Sequence, residues 1–313
     1  MELKHNINKN GPNFPDLNKI KEQVIGKEYN KKKIVDFHVH VFPDKIADKT
    51  IKNLAKLSGT TPYTNGTKAE LISSMEKSGV DVSLVLPIVT NPEKARHINQ
   101  LAADMNKDFD KTGICSIGGI NPDNKDYKDI LKEIKELGLK GVKLHPDYYG
   151  VRLDDIRLER IIDEASSLGL FIITHAGPDI GLYPPALSPV DSIVKVINDV
   201  KPEKFILAHM GGWMAWDEAL AKLRETNVYL DTSFSIGEIN WSGVSKVRYG
   251  FHMMEDDMFV KMVRAFGSER ILFATDSPWS DQADYIDRIS KMPLTEEEKD
   301  NIFYKNAYKL LEL

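Results

Sequence analysis

The sequence holds a single cysteine, Cys115, among 313 residues. No internal disulfide framework is available to it, and a structural zinc site closed by cysteines is excluded. It also lacks a surplus of basic charge, with 42 Lys and Arg against 47 Asp and Glu and a formal net charge of -5. Such a balance offers no general attraction to phosphate backbones or to anionic lipid. Neither a secretory apolar core nor a bilayer-spanning apolar run is present, so the chain reads as cytoplasmic, with neither nucleic acid nor membrane as a partner. The phosphate-cradling G-x-G-x-x-G is missing after the first strand pattern, which argues against a doubly wound dinucleotide fold.

What is present is an ordinary globular composition, 42% apolar and 28% charged, at a length that one α/β barrel occupies. Residues 1–33 are Asn- and Lys-rich and carry Leu17, Ile20 and Val24 at helical spacing after Asp16. They read as an N-terminal extension with one short helix. From residue 34 onward, short apolar runs alternate with longer helical patterns. Eight runs follow one another: "KIVDFHVHV", "DVSLVLPIV", "TGICSIGGI", "LKGVKLHP", "LFIITHAG", "KFILAHMGG", "NVYLDTSF" and "RILFATDSPW". Between them, Asp126–Leu137, Leu158–Leu168, Ser188–Val200 and Met258–Phe266 read as helices. Nearly continuous apolar runs belong to parallel strands buried on both faces, and eight repeats of strand then helix predict closure. The expected fold is α/β, a (β/α)8 TIM barrel over residues 34–313.

Barrels of this kind place their chemistry at the C-terminal ends of the strands. There the runs are interrupted by His38 and His40, Lys143 and His145, His175, His209, Asp231 and Asp276 in turn. Five of the eight histidines therefore stand at strand ends, leaving His5, His97 and His252 elsewhere. Taken singly, His145 and Asp231 read as core or supporting residues and Asp276 as a helix cap. The pair His38 and His40 resists that reading, because residues at i and i+2 of a strand share a face and crowd two imidazoles together. A divalent ion resolves the crowding. Imidazole and carboxylate suit Zn²⁺ and its first-row relatives, and His38, His40, His175 and Asp276 have the composition of an open catalytic site. Bound water would fall in pKa from about 15.7 to about 7, with Asp276 to take its proton and His209 to polarise substrate or shuttle a proton. The stretches 42–67 and 235–255, the latter with Trp241, Tyr249 and His252, read as lid or wall loops. The proline-stiffened "PDIGLYPPALSP" falls close to His175. Trp213 and Trp279 read as aromatic walls of the substrate pocket.

Taken together, "HVH", "GVKLHP", "THAG", "AHMGG" and "FATDSPW" resemble the amidohydrolase superfamily, in its amidohydrolase-related branch of metal-dependent barrels. The resemblance implies metal ligation by His38, His40 and His175, a catalytic or ligating His209, and Asp276 as the last carboxylate. It leaves Lys143 with three roles: a carboxylated bridge between two metals, a substrate anchor, or an interior partner of Asp231. His145, followed by Pro146, is expected to reach substrate. One ion, most simply Zn²⁺, is expected rather than two. The first expectation for function is hydrolysis of a small organic amide, ester or lactone. The alternative is non-oxidative decarboxylation of a small enol or aromatic carboxylate at the same metal. Lys45 and Arg152 read as solvated loop charges. A non-catalytic scaffold would lack an acid or base, yet His209 and Asp276 are both there; a metal-free barrel is a further alternative. The resemblance also implies a homodimer.

Overall fold

The computed structural model describes residues 34–243 and 250–313. The expected helix around Leu17, Ile20 and Val24 lies outside the described residues, as do His5 and Tyr249. The strands are β1 (Val35–Val39), β2 (Val82–Val85), β3 (Ile114–Ser116), β4 (Gly118–Gly119), β5 (Gly141–Leu144), β6 (Phe171–Thr174), β7 (Phe205–Leu207), β8 (Tyr229–Asp231) and β9 (Ile271–Leu272). Neighbours pair in parallel and in chain order, as β1-β2-β3 and as β4 through β9.

Two seams join these arcs. β3 and β4 are halves of one apolar run, interrupted at Ile117, whose N–H reaches back to the Val85 carbonyl at 3.4 Å. At the other seam Phe37 N–H donates to Phe273 O at 2.8 Å, Asp276 N–H to His38 O at 2.8 Å, and His40 N–H to Ser277 O at 2.7 Å. The result is the closed eight-stranded (β/α)8 barrel that the sequence predicts. The Asp36 carboxyl group buttons this closing seam, its oxygens 3.0 Å from Thr275 N, 2.6 Å from Thr275 Oγ1 and 2.8 Å from Gln282 Nε2. Inside, Phe37, Leu84, Phe171, Ile173, Ile206 and Leu272 fill the barrel. Outside, a larger apolar layer lies between strands and helices.

The helical coat comprises α1 (Asp44–Ser58), α2 (Lys68–Ser78), α3 (Ala95–Asn106), α4 (Tyr127–Glu136), α5 (Ile156–Ser167), α6 (Val190–Val200), α7 (Trp216–Leu223), α8 (Asp256–Phe266) and α9 (Gln282–Lys291), besides shorter turns. The four predicted helices appear as α4, α5, α6 and α8, each within two residues at both ends. Helix α1 departs from expectation, since residues 42–67 read as a lid loop. Ala47 and Ile51, one turn apart, are buried, and Gly59 closes the helix in the left-handed conformation at φ 71°. That cap is an ordinary role for glycine. The polar "GTTPYTNGT" after it hid the helix. Among the described residues, no helix is long and apolar enough to cross a membrane.

Candidate metal centre

His38 and His40 stand at the end of β1 on one face, and each ring is turned by a partner on its far side. His38 Nδ1 lies 2.8 Å from Asp231 Oδ2, and His40 Nδ1 lies 2.9 Å from the Leu86 carbonyl. Oxygens without protons accept there, so the Nδ1 atoms donate and both Nε2 atoms are left as lone pairs. These two lone pairs converge to 3.2 Å. The Asp276 carboxylate joins them, its Oδ1 at 3.5 Å from His38 Nε2 and 3.1 Å from His40 Nε2. Three electron-rich atoms facing one another in a half-buried site repel unless a cation or a shared proton stands among them. The donor set therefore fits a divalent first-row ion. Burial, and next the positive charge of Lys143, hold the His38 imidazole well below its ordinary pKa, keeping it neutral. Burial opposes ionisation of the Asp276 carboxyl, yet a hydrogen bond from His40 and positive charge on the neighbouring imidazoles, whenever these rings carry an extra proton, hold it below its usual value.

His175, expected as the third nitrogen ligand, is not in this group. Its Nδ1 lies 3.0 Å from His209 Nε2, which turns the rest of the ring toward His145, stacked on it at 4.2 Å. His209 Nδ1 in turn faces the Ser233 carbonyl at 2.9 Å. The chain of protons is thereby fixed: His209 Nδ1–H donates to Ser233, His175 Nδ1–H donates to His209 Nε2, and His175 Nε2 is a bare lone pair. That atom is buried without a hydrogen-bond partner, as is Nδ1 of His145, although the Asp147 carboxyl lies 3.9 Å from His175 Nε2. His145, His175 and Asp179 form a second cluster of ligand-type groups beside the first.

The backbone at these positions is strained. His209 and Asp276 take positive φ angles of 58° and 66°, a region costly for residues other than glycine. In "AHMGG" and "FATDSPW" the chain thus turns sharply at the strand end to aim a side chain at the mouth. Gly177 of "THAG" allows another close approach, because a Cβ there would meet the Trp213 backbone nitrogen at 2.4 Å.

Lys143 is 1% exposed, and its Nζ lies 3.4 Å from His38 Nε2. Of the three roles left open for it, interior pairing with Asp231 is not made, because that carboxylate is occupied by His38, His209 N–H and Ser233. Burial lowers the Lys143 pKa to about 8. Asp231 is more than a supporting core residue, since it orients His38 and the His209 backbone together. Strand-end spacing does not mark Asp147 and Asp179, whose carboxyls burial pushes up to about 6 and about 7. The only signal available for them was an acidic residue just beyond "KLH" and "THAG".

All the expected site residues, His38, His40, Lys143, His145, His175, His209, Trp213, Asp276 and Trp279, line one cavity of about 810 Å³. The proline-rich loop after β6 contributes Pro178 to Leu182. Trp241 and His252, expected on a lid, do not line it; Trp241 bridges to Thr60, and His252 packs on Trp216. Arg152 is paired with Asp154 at 2.9 Å in solvent, as a loop charge.

Fold and geometry define a (β/α)8 barrel in which two histidines and one carboxylate converge at the C-terminal mouth. The family model described as Amidohydrolase matches residues 35–313, and the chain belongs to that enzyme family, in its amidohydrolase-related branch. Solved structures share the fold at low identity. The 5-carboxyvanillate decarboxylase of Sphingomonas paucimobilis is 16% identical, with 90% of this chain and 100% of that chain covered at a TM-score of 0.65. A 2,6-dihydroxybenzoate decarboxylase from Rhizobium is 14% identical, covering 90% and 99% at 0.64. The 5-carboxyvanillate decarboxylase of Novosphingobium aromaticivorans, complexed with manganese and 4-hydroxy-3-methoxy-5-nitrobenzoic acid, is 16% identical, covering 90% and 96% at 0.63. Among curated protein sequences, nothing matches.

Proposed function

We propose that the protein is a divalent-cation-dependent, non-oxidative decarboxylase of an organic acid bearing an enol or phenol oxygen. The observation that carries this reading is the convergence of His38 Nε2, His40 Nε2 and Asp276 Oδ1 beside His209, on the floor of a cavity. His38, His40 and Asp276 would hold a divalent ion, and the chemistry it would supply when bound is Lewis-acid stabilisation of negative charge on a substrate oxygen. The C–C bond breaks, its electron pair stays with the substrate carbon, and a proton must then reach that carbon. His209 is the carrier: with Nδ1–H tied to Ser233, proton exchange falls to Nε2, which takes up and delivers a proton when it parts from His175 Nδ1, its partner in the resting site. Lys143 and the unpartnered Nδ1 of His145 are the groups to hold the carboxylate. Trp213 and Trp279 exclude water and flank a planar acid, and the Trp213 indole N–H, buried without a partner, is a donor for a substrate oxygen. One ion is proposed. Nitrogen and carboxylate donors suit Zn²⁺, and the manganese of a similar structure makes Mn²⁺ the other ion to test.

Hydrolysis of an amide, ester or lactone is the second reading. Asp276 favours it, since its carboxylate lies beside both ligand imidazoles, where it would accept a proton from water. Decarboxylation ranks first because several similar structures are named decarboxylases of specified aromatic acids, whereas those named amidohydrolases carry no stated substrate. The test is a screen of hydroxybenzoates, enol acids, amides, esters and lactones against Zn²⁺- and Mn²⁺-loaded protein, with metal content measured. CO2 release at one equivalent of metal, abolished by a chelator and restored by the ion, is expected. Hydrolysis alone would establish the second reading, and turnover unchanged after metal removal would overturn both.

A further inference from the structure

The cavity is larger than the chemistry on its floor requires. A dry apolar cavity of roughly 150 Å³ accepts one benzene ring, whereas this one measures about 810 Å³. That is near the upper end of the roughly 300–1,000 Å³ of small-molecule sites. Beyond the residues of the metal-ligand floor, α1 and α3 both contribute to its lining. Helix α1 presents Ile46, Thr50 and Leu54 to the cavity, residues four apart and therefore on one face. Helix α3 presents Ile98, Leu101 and Met105 from the other side. Over Ile46 to Leu54 the wall runs for about 12 Å along the helix axis.

Aliphatic side chains on two neighbouring helices ordinarily close on each other to bury their area. Here Ile46 stays 50% exposed and Leu101 43% exposed, although both line the cavity that contains His38 and His40. Although Phe42, just before α1, and His97, on α3, also line the cavity, the residues that these helices present to it are mostly aliphatic, and such walls suit a flexible chain. Continuity with the metal-ligand floor makes it part of the substrate site rather than an isolated surface patch.

We propose that the substrate is an amphiphile, whose polar reacting group sits at the cation centre and whose linear aliphatic tail lies between α1 and α3. This rests on the reading above only for the position of the reacting group. The test uses straight-chain alkanohydroxamic acids of increasing length, below their micelle concentrations, titrated calorimetrically into metal-loaded full-length protein. Affinity is expected to rise roughly three- to fourfold per added methylene until the slot is filled. Leu101→Glu and Ile46→Glu, at half-exposed positions, are expected to flatten that dependence. Should either fail to fold, Leu101→Ala is read in the same way, as a loss concentrated on the longer chains.

Affinity independent of chain length would overturn the proposal. So would a length dependence that the variants leave intact while they dissociate a dimer, because the exposed aliphatics would then belong to a subunit contact. A clear length dependence without turnover of any acid keeps the slot and discards decarboxylation. Turnover of small aromatic acids with no length dependence does the reverse.

Discussion

At the scale of single residues, Asp231 decides what His38 can do. Its Oδ2 accepts the Nδ1 proton at 2.8 Å and so leaves Nε2 bare for an ion, while Oδ1 takes His209 N–H at 3.0 Å. In Asp231→Asn the amide can turn a donor toward Nδ1, and the ring then carries its proton on the wrong nitrogen. Metal affinity should fall by about 10- to 100-fold, as is usual when the group behind a ligand histidine is lost. A competition titration against a chromophoric chelator measures it, and an unchanged affinity would remove His38 from the ligand set. His209 is expected to behave oppositely. Its Nδ1 is spent on Ser233 and its Nε2 on His175, so His209→Ala should keep its metal and lose about 10²- to 10⁴-fold in kcat. Loss of metal in that variant would make His209 a ligand instead. The histidines were legible because the i, i+2 pair and the recurrence at strand ends form a pattern. Asp147 and Asp179 were not, because an acid in a loop looks the same whether it faces water or a buried imidazole.

At the scale of elements, helices with one apolar stripe were readable to within two residues, whereas α1 was concealed by the polar loop behind it. The broken third strand was equally hidden. "TGICSIGGI" reads as one run, and the interruption at Ile117 comes from pairing geometry that no apolar pattern records. The closing seam has its own device in Asp36, fully buried among Thr275 and Gln282. Burial outweighs those donors and pushes its carboxyl up to about 7. The folded chain therefore holds a proton that the unfolded chain, at the ordinary value of about 3.9, has released. Stability from this group is present below pH 4 and is lost as pH rises toward 7, by a few kcal/mol at most. Asp36→Asn should flatten that decline, as read from urea midpoints at pH 5 and pH 8 on chelator-treated protein. An identical decline in both proteins would show that Asp36 does not cause it.

At the scale of the whole molecule, the centre exists only because the barrel closes. His38 and His40 come from β1 and Asp276 from just beyond β9, strands at opposite ends of the sequence that meet at one seam. The order of residue types along the chain announced such a centre. Which imidazole faces which neighbour depends on carbonyl and carboxylate partners across the barrel, as the turning of His175 toward His145 shows. A cation held by these three groups also clasps the seam, so metal and folding must be linked. Ion at a hundred times its dissociation constant adds about 2.7 kcal/mol to the folded state. With roughly 2–4 °C per kcal/mol in large domains, saturation should raise Tm by about 5–10 °C over chelated protein. Differential scanning fluorimetry across a Zn²⁺ or Mn²⁺ titration checks this, and His40→Ala should abolish the shift because one of the three converging lone pairs is gone. If wild-type Tm does not move, the repulsion among those lone pairs is relieved by protonation instead, and the centre does not hold an ion at all.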